Sequence, residues 1–289
     1  MESVSIAVIG GSGLYHMEEI TDKTAVALTT PFGSPSADIV IGTLRGKRVA
    51  FLPRHGVGHY FTPTTVPYRA NIYALKTLGV RFIIGVNACG SLRDDYAPGH
   101  IVMPDQIFDY TNSRDRSFFD SGMVGHVSVA DPYTPELIDL AYNAVIEVGG
   151  TAHKGGTFLI EEGPRFATRA ESNIFRQWGC SLIGMTTCPE IFLAREAEIA
   201  YVTMAHVTDY DSWHVSEKPV TVEQVIQTLH HNVHIAQQAI AKVIENLDPH
   251  ADYAAHHALE NAIMTDRRVM PAEIQQRLQP LIQKYIPEG

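Results

Sequence analysis

The 289-residue chain is short of cysteine, of basic charge and of long apolar runs, and each shortage removes a class of explanation. Cys89, Cys180 and Cys188 leave one thiol over from any pairing, and none stands in a CxxC. That fits no disulfide framework and no zinc motif, and a reducing compartment is expected, with the cysteines as small buried hydrophobes. Lys plus Arg number 22 against 32 Asp plus Glu, a net charge of −10, and no basic block is present. Binding to a phosphate backbone needs the opposite balance, so nucleic acid is not expected as a partner. No stretch approaches the roughly eighteen uncharged apolar residues that a membrane span requires. Met1-Glu2-Ser3 runs to Gly10 through only a short apolar segment, unlike a targeting sequence. The expectation is a soluble cytoplasmic protein with no membrane partner. No internal repeat, low-complexity tract or linker interrupts the chain.

What is present is a series of short β-branched runs, each ending in glycine or a turn: Val4 to Ile9, Asp38 to Ile41, Arg48 to Leu52, Phe82 to Val86 and Gly99 to Met103. These read as strands. Ile72, Leu75 and Leu78 recur at helical spacing before Gly79, and the alternation resumes later. Helices are expected at 135–148, 169–178 and 190–197, strands at 156–161, 181–185 and 200–207. Such an order favours an α/β sheet covered by helices. The segment 109–131 lacks periodicity and reads as a long loop, a common place for function. Thr221 and Gln224 form a capping-box pattern opening a long helix whose apolar stripe, from Val222 through Val225 to Leu247, suits packing on the sheet. Beyond Pro249, helices are expected at about 252–264 and 272–285, the second with Pro271 at its first turn.

Several strand ends carry groups suited to an anion. The first strand runs into Gly10-Gly11-Ser12-Gly13, whose amides and Ser12 hydroxyl could grip a phosphate or simply form a tight turn. GxGxxG is not completed, since position 16 is His, and position 14 is Leu rather than the second half of a GxSxG. Arg54 and His55 follow another strand, at the end of a sheet where ligands bind in open α/β folds. A metal at His55 and His59 is not expected, because Gly56 and Gly58 disfavour a helix and no carboxylate stands at ligand spacing. His230, His231, His234, His256 and His257 read as solvated helix positions. Asn87 to Ser91 and Met185 to Thr187 end two further strands. Asp209 and Asp211 follow the strand 200–207. If the extended geometry persists, both carboxyls share one face and raise one another's pKa, which suits a proton donor; a capped turn is the alternative.

Taken in order, Gly10-Gly11-Ser12-Gly13, Pro53-Arg54-His55-Gly56, Asn87-Ala88-Cys89-Gly90-Ser91-Leu92, Glu162-Gly163-Pro164-Arg165-Phe166, Met185-Thr186-Thr187-Cys188-Pro189-Glu190 and Thr208-Asp209-Tyr210-Asp211 make the chain resemble the trimeric purine nucleoside phosphorylase family. The resemblance runs from about Ile6 to Leu247. It implies one α/β domain over residues 1–247, with a mixed, partly barrel-like central sheet flanked by helices, and a helical extension at 248–289 packing on it. The implied reaction is phosphorolysis of 5′-methylthioadenosine by inorganic phosphate to adenine and 5-methylthioribose 1-phosphate, in purine and methionine salvage. No metal or organic cofactor is implied, and a homotrimer is.

Carried over by position, phosphate would be held by Ser12, Arg54, His55, Ala88 and Thr186, with Asn87 in the same loop. Met185 would lie against the ribose, Phe166 and Ala167 would border the base, and Asp209 and Asp211 would read the purine and supply acid catalysis. The 5′ pocket would use His126 of a neighbouring subunit, Val222 and Val225, with His59 and Pro63 nearby and Val269 from the tail. The chain departs from the adenine-type pattern at Asn87, where a hydroxyl residue is common, although an amide still donates to phosphate. Three other readings stay open: a broader purine nucleoside phosphorylase, a nucleosidase using water, and a non-catalytic nucleoside-binding protein.

Overall fold

A computed structural model describes residues 4–11, 17–214 and 221–287, with the backbone alone for 224–233. Four strands form its centre: β1 (Ile6–Gly10), β4 (Lys47–Pro53), β5 (Phe82–Ser91) and β11 (Ala200–Asp209). β1 lies parallel to β4 and β5, and β5 parallel to β11. Strands covered on both faces must be apolar at successive residues rather than alternate ones, which is why these runs stand out in the sequence.

The sheet forks at β5. One of its edges carries β1 along Phe82–Gly85 and then, at Gly90 and Ser91, the antiparallel β10 (Cys180–Gly184). The other edge carries β11 from Phe82 to Gly90. From β1 the sheet continues through β4 and β3 (Ile39–Leu44) to β2 (Thr21–Val26). From β10 it continues through β9 (Thr157–Glu161) to β7 (Gln106–Tyr110), and from β11 to β6 (Ile101–Met103) and β8 (Ala152–Lys154). This is the mixed sheet expected, but it is not closed: β2, β7 and β8 are edges.

Helices α1 (Tyr68–Thr77), α2 (Pro135–Glu147), α3 (Arg169–Gln177), α4 (Glu190–Glu196), α5 (Val222–Asn246) and α6 (Ala272–Ile282) cover the sheet. A capping box of Thr168 with Glu171 starts α3. Lys47 Nζ donates to the Ile244, Glu245 and Leu247 carbonyls at 2.7–2.8 Å, closing the end of α5. Ile274, Leu278, Leu281 and Ile282 of α6 join the same core as β1 and β5. Among the described residues no helix is long and apolar enough to cross a membrane. All three cysteines are free and buried.

Several expectations need correction. β2, β7 and β8 lie outside the expected strands, and Asp109 and Tyr110 belong to β7 rather than to the long loop. β2 is a polar, exposed edge, β7 is an edge whose Phe108 and Tyr110 are exposed, and β8 is three residues long, so none has a buried-strand pattern. The helix expected at 252–264 is a single 3-10 turn, Ala254–His257, followed by turns. Tyr253 N donates to His256 Nδ1 within the turn, and Leu259 N to Glu198 Oε1 from the segment after α4. His256 is accordingly buried, its Nε2 3.1 Å from the Arg81 carbonyl, and is not a solvated position.

Candidate active site

The fork leaves Val86 to Cys89 without a strand partner on one edge of β5. The groups expected to hold phosphate gather there. Arg54, at the end of β4, is 2% exposed and donates through Nε and Nη2 to Glu190 of α4, both at 2.7 Å. Its Nη1 donates to the Val86 carbonyl and Nη2 also to that of Ile9. Four of five N–H donors are thereby committed, and one on Nη1 remains. Burial opposes the guanidinium charge, but Glu190 outweighs it and holds Arg54 firmly protonated. The pair is close to neutral as a unit, so Arg54 serves as framework for the candidate anion site as much as a cation in it.

His55 is half-buried, with Nδ1 2.8 Å from the Phe61 carbonyl and its ring stacked on exposed His59 at 4.1 Å. A carbonyl accepts only, so Nδ1 carries the hydrogen and Nε2 keeps a lone pair. Burial, with Arg54 and His59 adding to it, pushes the imidazole down to about 4. His55 is therefore neutral at pH 7 and suited to the P–OH of a phosphate monoanion or monohydrogen form. Asn87 Nδ2 donates to Thr186 Oγ1 at 2.8 Å, which leaves the Thr186 hydroxyl hydrogen free for an anion. Asn87 Oδ1 is buried without a partner. Ala88 is exposed and small, letting a ligand approach the backbone. Ser12 lies outside the described residues.

On the other side of Gly90 stand Asp209 and Asp211. The extended geometry ends at Asp209: Asp211 has φ 52°, and its N–H donates to Asp209 Oδ1 at 2.8 Å. The capped turn is thus real, and it is this turn that brings the carboxyls together. A Cβ on Gly90 would stand 3.1 Å from both Asp209 Oδ1 and Asp211 Cβ. Thr208 Oγ1 donates to Asp209 Oδ2 at 2.7 Å, so both Asp209 oxygens have donors, whereas Asp211 Oδ2 is buried with none. Burial raises Asp209, and burial together with the Asp209 charge pushes Asp211 up to about 6. Ala167 is buried, its carbonyl bound by Ser212 Oγ, and Phe166 presents an exposed ring. Met185 is half-buried, packed where a Cβ on Gly163 would meet its sulfur.

Of the expected 5′ group, Pro63 stands with Met185 around Gly163. Pro63 is buried, its carbonyl accepting from Tyr68 Oη, but Val222 is 62% exposed and does not belong to the helix core. The Val225 side chain lies outside the described residues. His126 and Val269 are exposed; the His126 N–H donates to the Ala262 carbonyl, and Gly125 bridges to Ile263. His126 lines a surface cavity of about 540 Å³ with Tyr133, Arg195 and Glu136, and the cavity shares no lining residue with Arg54, Thr186, Asp209 or Asp211. Among the described residues no group of three or more His, Cys, Asp or Glu is placed to hold a metal ion.

Spacing and pattern give no separate part to Glu190, Arg114, Glu162 or Glu161, all of which the fold brings to these strand ends. Arg114, from the aperiodic loop, donates to the Met185, Cys188 and Glu162 carbonyls and to Glu162 Oε1. Glu162 also accepts from Thr64 and from the Asn112 and Ser113 amides; burial opposes its charge, but these donors hold it down to about 2. The pair ties the loop to the strand ends. Glu161, beside it, is 9% exposed, and burial, then the Asp211 charge, push it up to about 8.

A model of the phosphorylase superfamily matches residues 5–245. The S-methyl-5′-thioadenosine phosphorylase of Chloroflexus aurantiacus is 52% identical over 286 residues, covering 99% of each chain, and that of Geobacter sulfurreducens 49% identical over 287 residues, covering 99% of this chain and 100% of its own. Among solved structures, a methylthioadenosine phosphorylase sourced from an antarctic soil metagenomic library superposes with TM-score 0.93 at 48% identity, covering 97% of this chain and 99% of its own. The methylthioadenosine phosphorylase of Schistosoma mansoni in complex with adenine gives 0.80 at 33% identity, covering 84% and 91%. With its strand ends arranged as described and its length matched almost throughout, the chain belongs to the phosphorylase superfamily.

Proposed function

We propose that this chain is a cytoplasmic phosphorylase that cleaves 5′-methylthioadenosine with inorganic phosphate to adenine and 5-methylthioribose 1-phosphate, in purine and methionine salvage, without metal or organic cofactor. The observation that carries the reading is the fork of β5, which sets an anion-binding group (Arg54, His55, Asn87, Ala88, Thr186) and a buried carboxyl pair on either side of one strand end. Phosphate held there, with Ser12 completing its site, attacks the anomeric carbon as the glycosidic bond breaks. The ribose, lying against Met185, gains cationic character, and the purine, bordered by Phe166 and Ala167, takes up negative charge. A protonated carboxyl of the Asp209–Asp211 pair donates to N7 while the ionised one accepts from the exocyclic amine. Acid help of this kind is worth roughly 10² to 10⁴ in rate, and the preorganised donors supply the electrostatic remainder.

The 5′-methylthio group offers no strong hydrogen bond, so its pocket is apolar: Pro63, Val222 and Val225, with His59 at the margin. His126 from a second subunit and Val269 complete it in a homotrimer. Support comes from the exposure of Val124, His126, Met264 and Val269 in the single chain. A broader purine nucleoside phosphorylase is the second reading, favoured by the amide at Asn87.

The test is release of free base from methylthioadenosine, adenosine and inosine with and without phosphate, together with light scattering on the active fraction. Adenine release that needs phosphate and favours methylthioadenosine is expected, from a trimer. Release without phosphate, preference for inosine, or a fully active monomer would each overturn the corresponding part.

A further inference from the structure

Asn87 stands in the interrupted stretch of β5, one residue after the Val86 carbonyl that accepts from Arg54 Nη1 at 3.0 Å. It is 4% exposed, and its Nδ2 donates to Thr186 Oγ1 at 2.8 Å. The amide is thus bonded to one group of the candidate anion site and adjoins in the chain the carbonyl that anchors another. The same bond orients it: the nitrogen is turned to Thr186, and the other end, Oδ1, is buried with no hydrogen-bond partner among the described residues. A buried polar atom left so calls for a ligand that completes it.

The three side chains do not offer an anion the same thing. Arg54 keeps one N–H after Glu190, Val86 and Ile9 have taken four, and Thr186, accepting from Asn87, keeps its O–H. Asn87 Oδ1 only accepts. An oxyanion without hydrogen would satisfy the two donors and set one of its oxygens against Oδ1, leaving a buried acceptor unpaired. An oxyanion that carries a hydroxyl satisfies all three. Monohydrogen phosphate and sulfate have the same charge and nearly the same shape, and they differ in that hydrogen. We propose that Asn87 selects a protonated oxyanion: its Oδ1 accepts from the P–OH of phosphate, and the site tells phosphate from sulfate by this bond. The inference rests on the phosphorolysis reading and adds to it the chemical class and protonation state of the co-substrate. With the hydroxyl held at Asn87, the bare oxygens are left for Arg54, Thr186 and the anomeric carbon, so the attacking atom carries no proton. A hydroxyl side chain at this position would rotate to donate as readily as to accept, and would admit both anions.

The experiment is calorimetric titration of wild type, Asn87→Leu and Asn87→Asp with inorganic phosphate and with sulfate, at one pH and one ionic strength. Wild type is expected to bind phosphate about tenfold or more tightly than sulfate. Asn87→Leu removes the acceptor at similar volume; phosphate affinity falls and the phosphate-to-sulfate ratio narrows several-fold. Asn87→Asp keeps an acceptor and adds charge; both anions bind more weakly, and the ratio is retained or widened. A purely structural role would weaken both anions in the same proportion, so an unchanged ratio in Asn87→Leu overturns the proposal. Equal affinities in wild type, the result if the amide turns Nδ2 to the anion, or a ratio that collapses in Asn87→Asp would overturn it too. Should the Leu variant fail to fold, Asn87→Thr, whose hydroxyl donates to sulfate, takes its place with the same narrowing expected. If phosphate binds with this preference but adenine is released without it, the reaction reading fails and the role of Asn87 stands; if neither anion binds, both fall.

Discussion

Replacing Glu190 by Gln separates the structural from the anion-binding share of Arg54. In the wild type, Glu190 accepts from Arg54 Nε and Nη2 and from Tyr201 Oη, at 2.6–2.7 Å, with side-chain exposures of 2% for Arg54 and 1% for Glu190. Gln keeps the shape but offers one acceptor oxygen to three donors, and its amide N–H₂ meets an N–H head on. It also strips a buried guanidinium of its counter-charge. Removing one member of a buried pair costs about 3–5 kcal/mol, a large part of the roughly 5–15 kcal/mol that holds a domain folded. For a chain of 289 residues that corresponds to a fall in Tm of roughly 5–8 °C. Urea unfolding measures the loss, with an unchanged m value showing that compactness is retained. In the folded fraction the site carries one more positive charge, so phosphate binds several-fold more tightly by calorimetry. A stability loss below about 1 kcal/mol, the range of an exposed pair, or weaker phosphate binding would refute the view that Glu190 neutralises Arg54.

Gly90→Ala sets a Cβ 3.1 Å from Asp209 Oδ1 and Asp211 Cβ; displacing the carboxyls is expected to lower kcat/KM for the nucleoside by about 10²-fold, and an unchanged value would mean that the pair does no chemistry. Asp209→Asn, able both to donate and to accept, is expected to lower the ratio of kcat/KM for methylthioadenosine over methylthioinosine by tenfold or more, roughly; an unchanged ratio would remove Asp209 from the purine edge. His206 is buried with Nε2 unpartnered, and burial pushes it down to about 4. The unfolded chain, with an ordinary imidazole near 6.5, binds the proton more readily between those values, so this stability is complete above about 6.5 and is lost as pH falls toward 4. His206→Leu is expected to flatten the pH dependence of unfolding free energy there by about 1.4 kcal/mol per pH unit, and an unaltered slope would contradict it.

The sequence makes visible what burial on two faces writes into it: β1, β4, β5 and β11 are continuous apolar runs, and the motifs at their ends mark the site. β2 is an edge of exposed polar residues and β7 an edge whose Phe108 and Tyr110 are exposed, so neither carries a core pattern, and the helical apolar spacing of 252–264 is overridden where Glu198 takes the Leu259 amide. Spacing brought out Asp209 and Asp211 as a pair, but through an extended strand; a positive φ at Asp211 does the work, and local pattern does not reveal it. Arg54–Glu190 and Arg114–Glu162 join residues 136 and 48 positions apart, and their pairing exists only once the sheet has formed.

The change of partner along β5 also bears on motion. Between the last residue bonded to β1 and the first bonded to β10, one edge of the strand holds no ladder, and the Arg54 guanidinium stands in for a neighbouring strand at the Val86 carbonyl. Main-chain amides at such an interruption exchange with solvent hydrogen ahead of the ladders on either side. An anion seated there supplies the missing acceptors, so occupancy slows exchange at Asn87 to Cys89 and draws the two branches of the sheet into one cooperative unit.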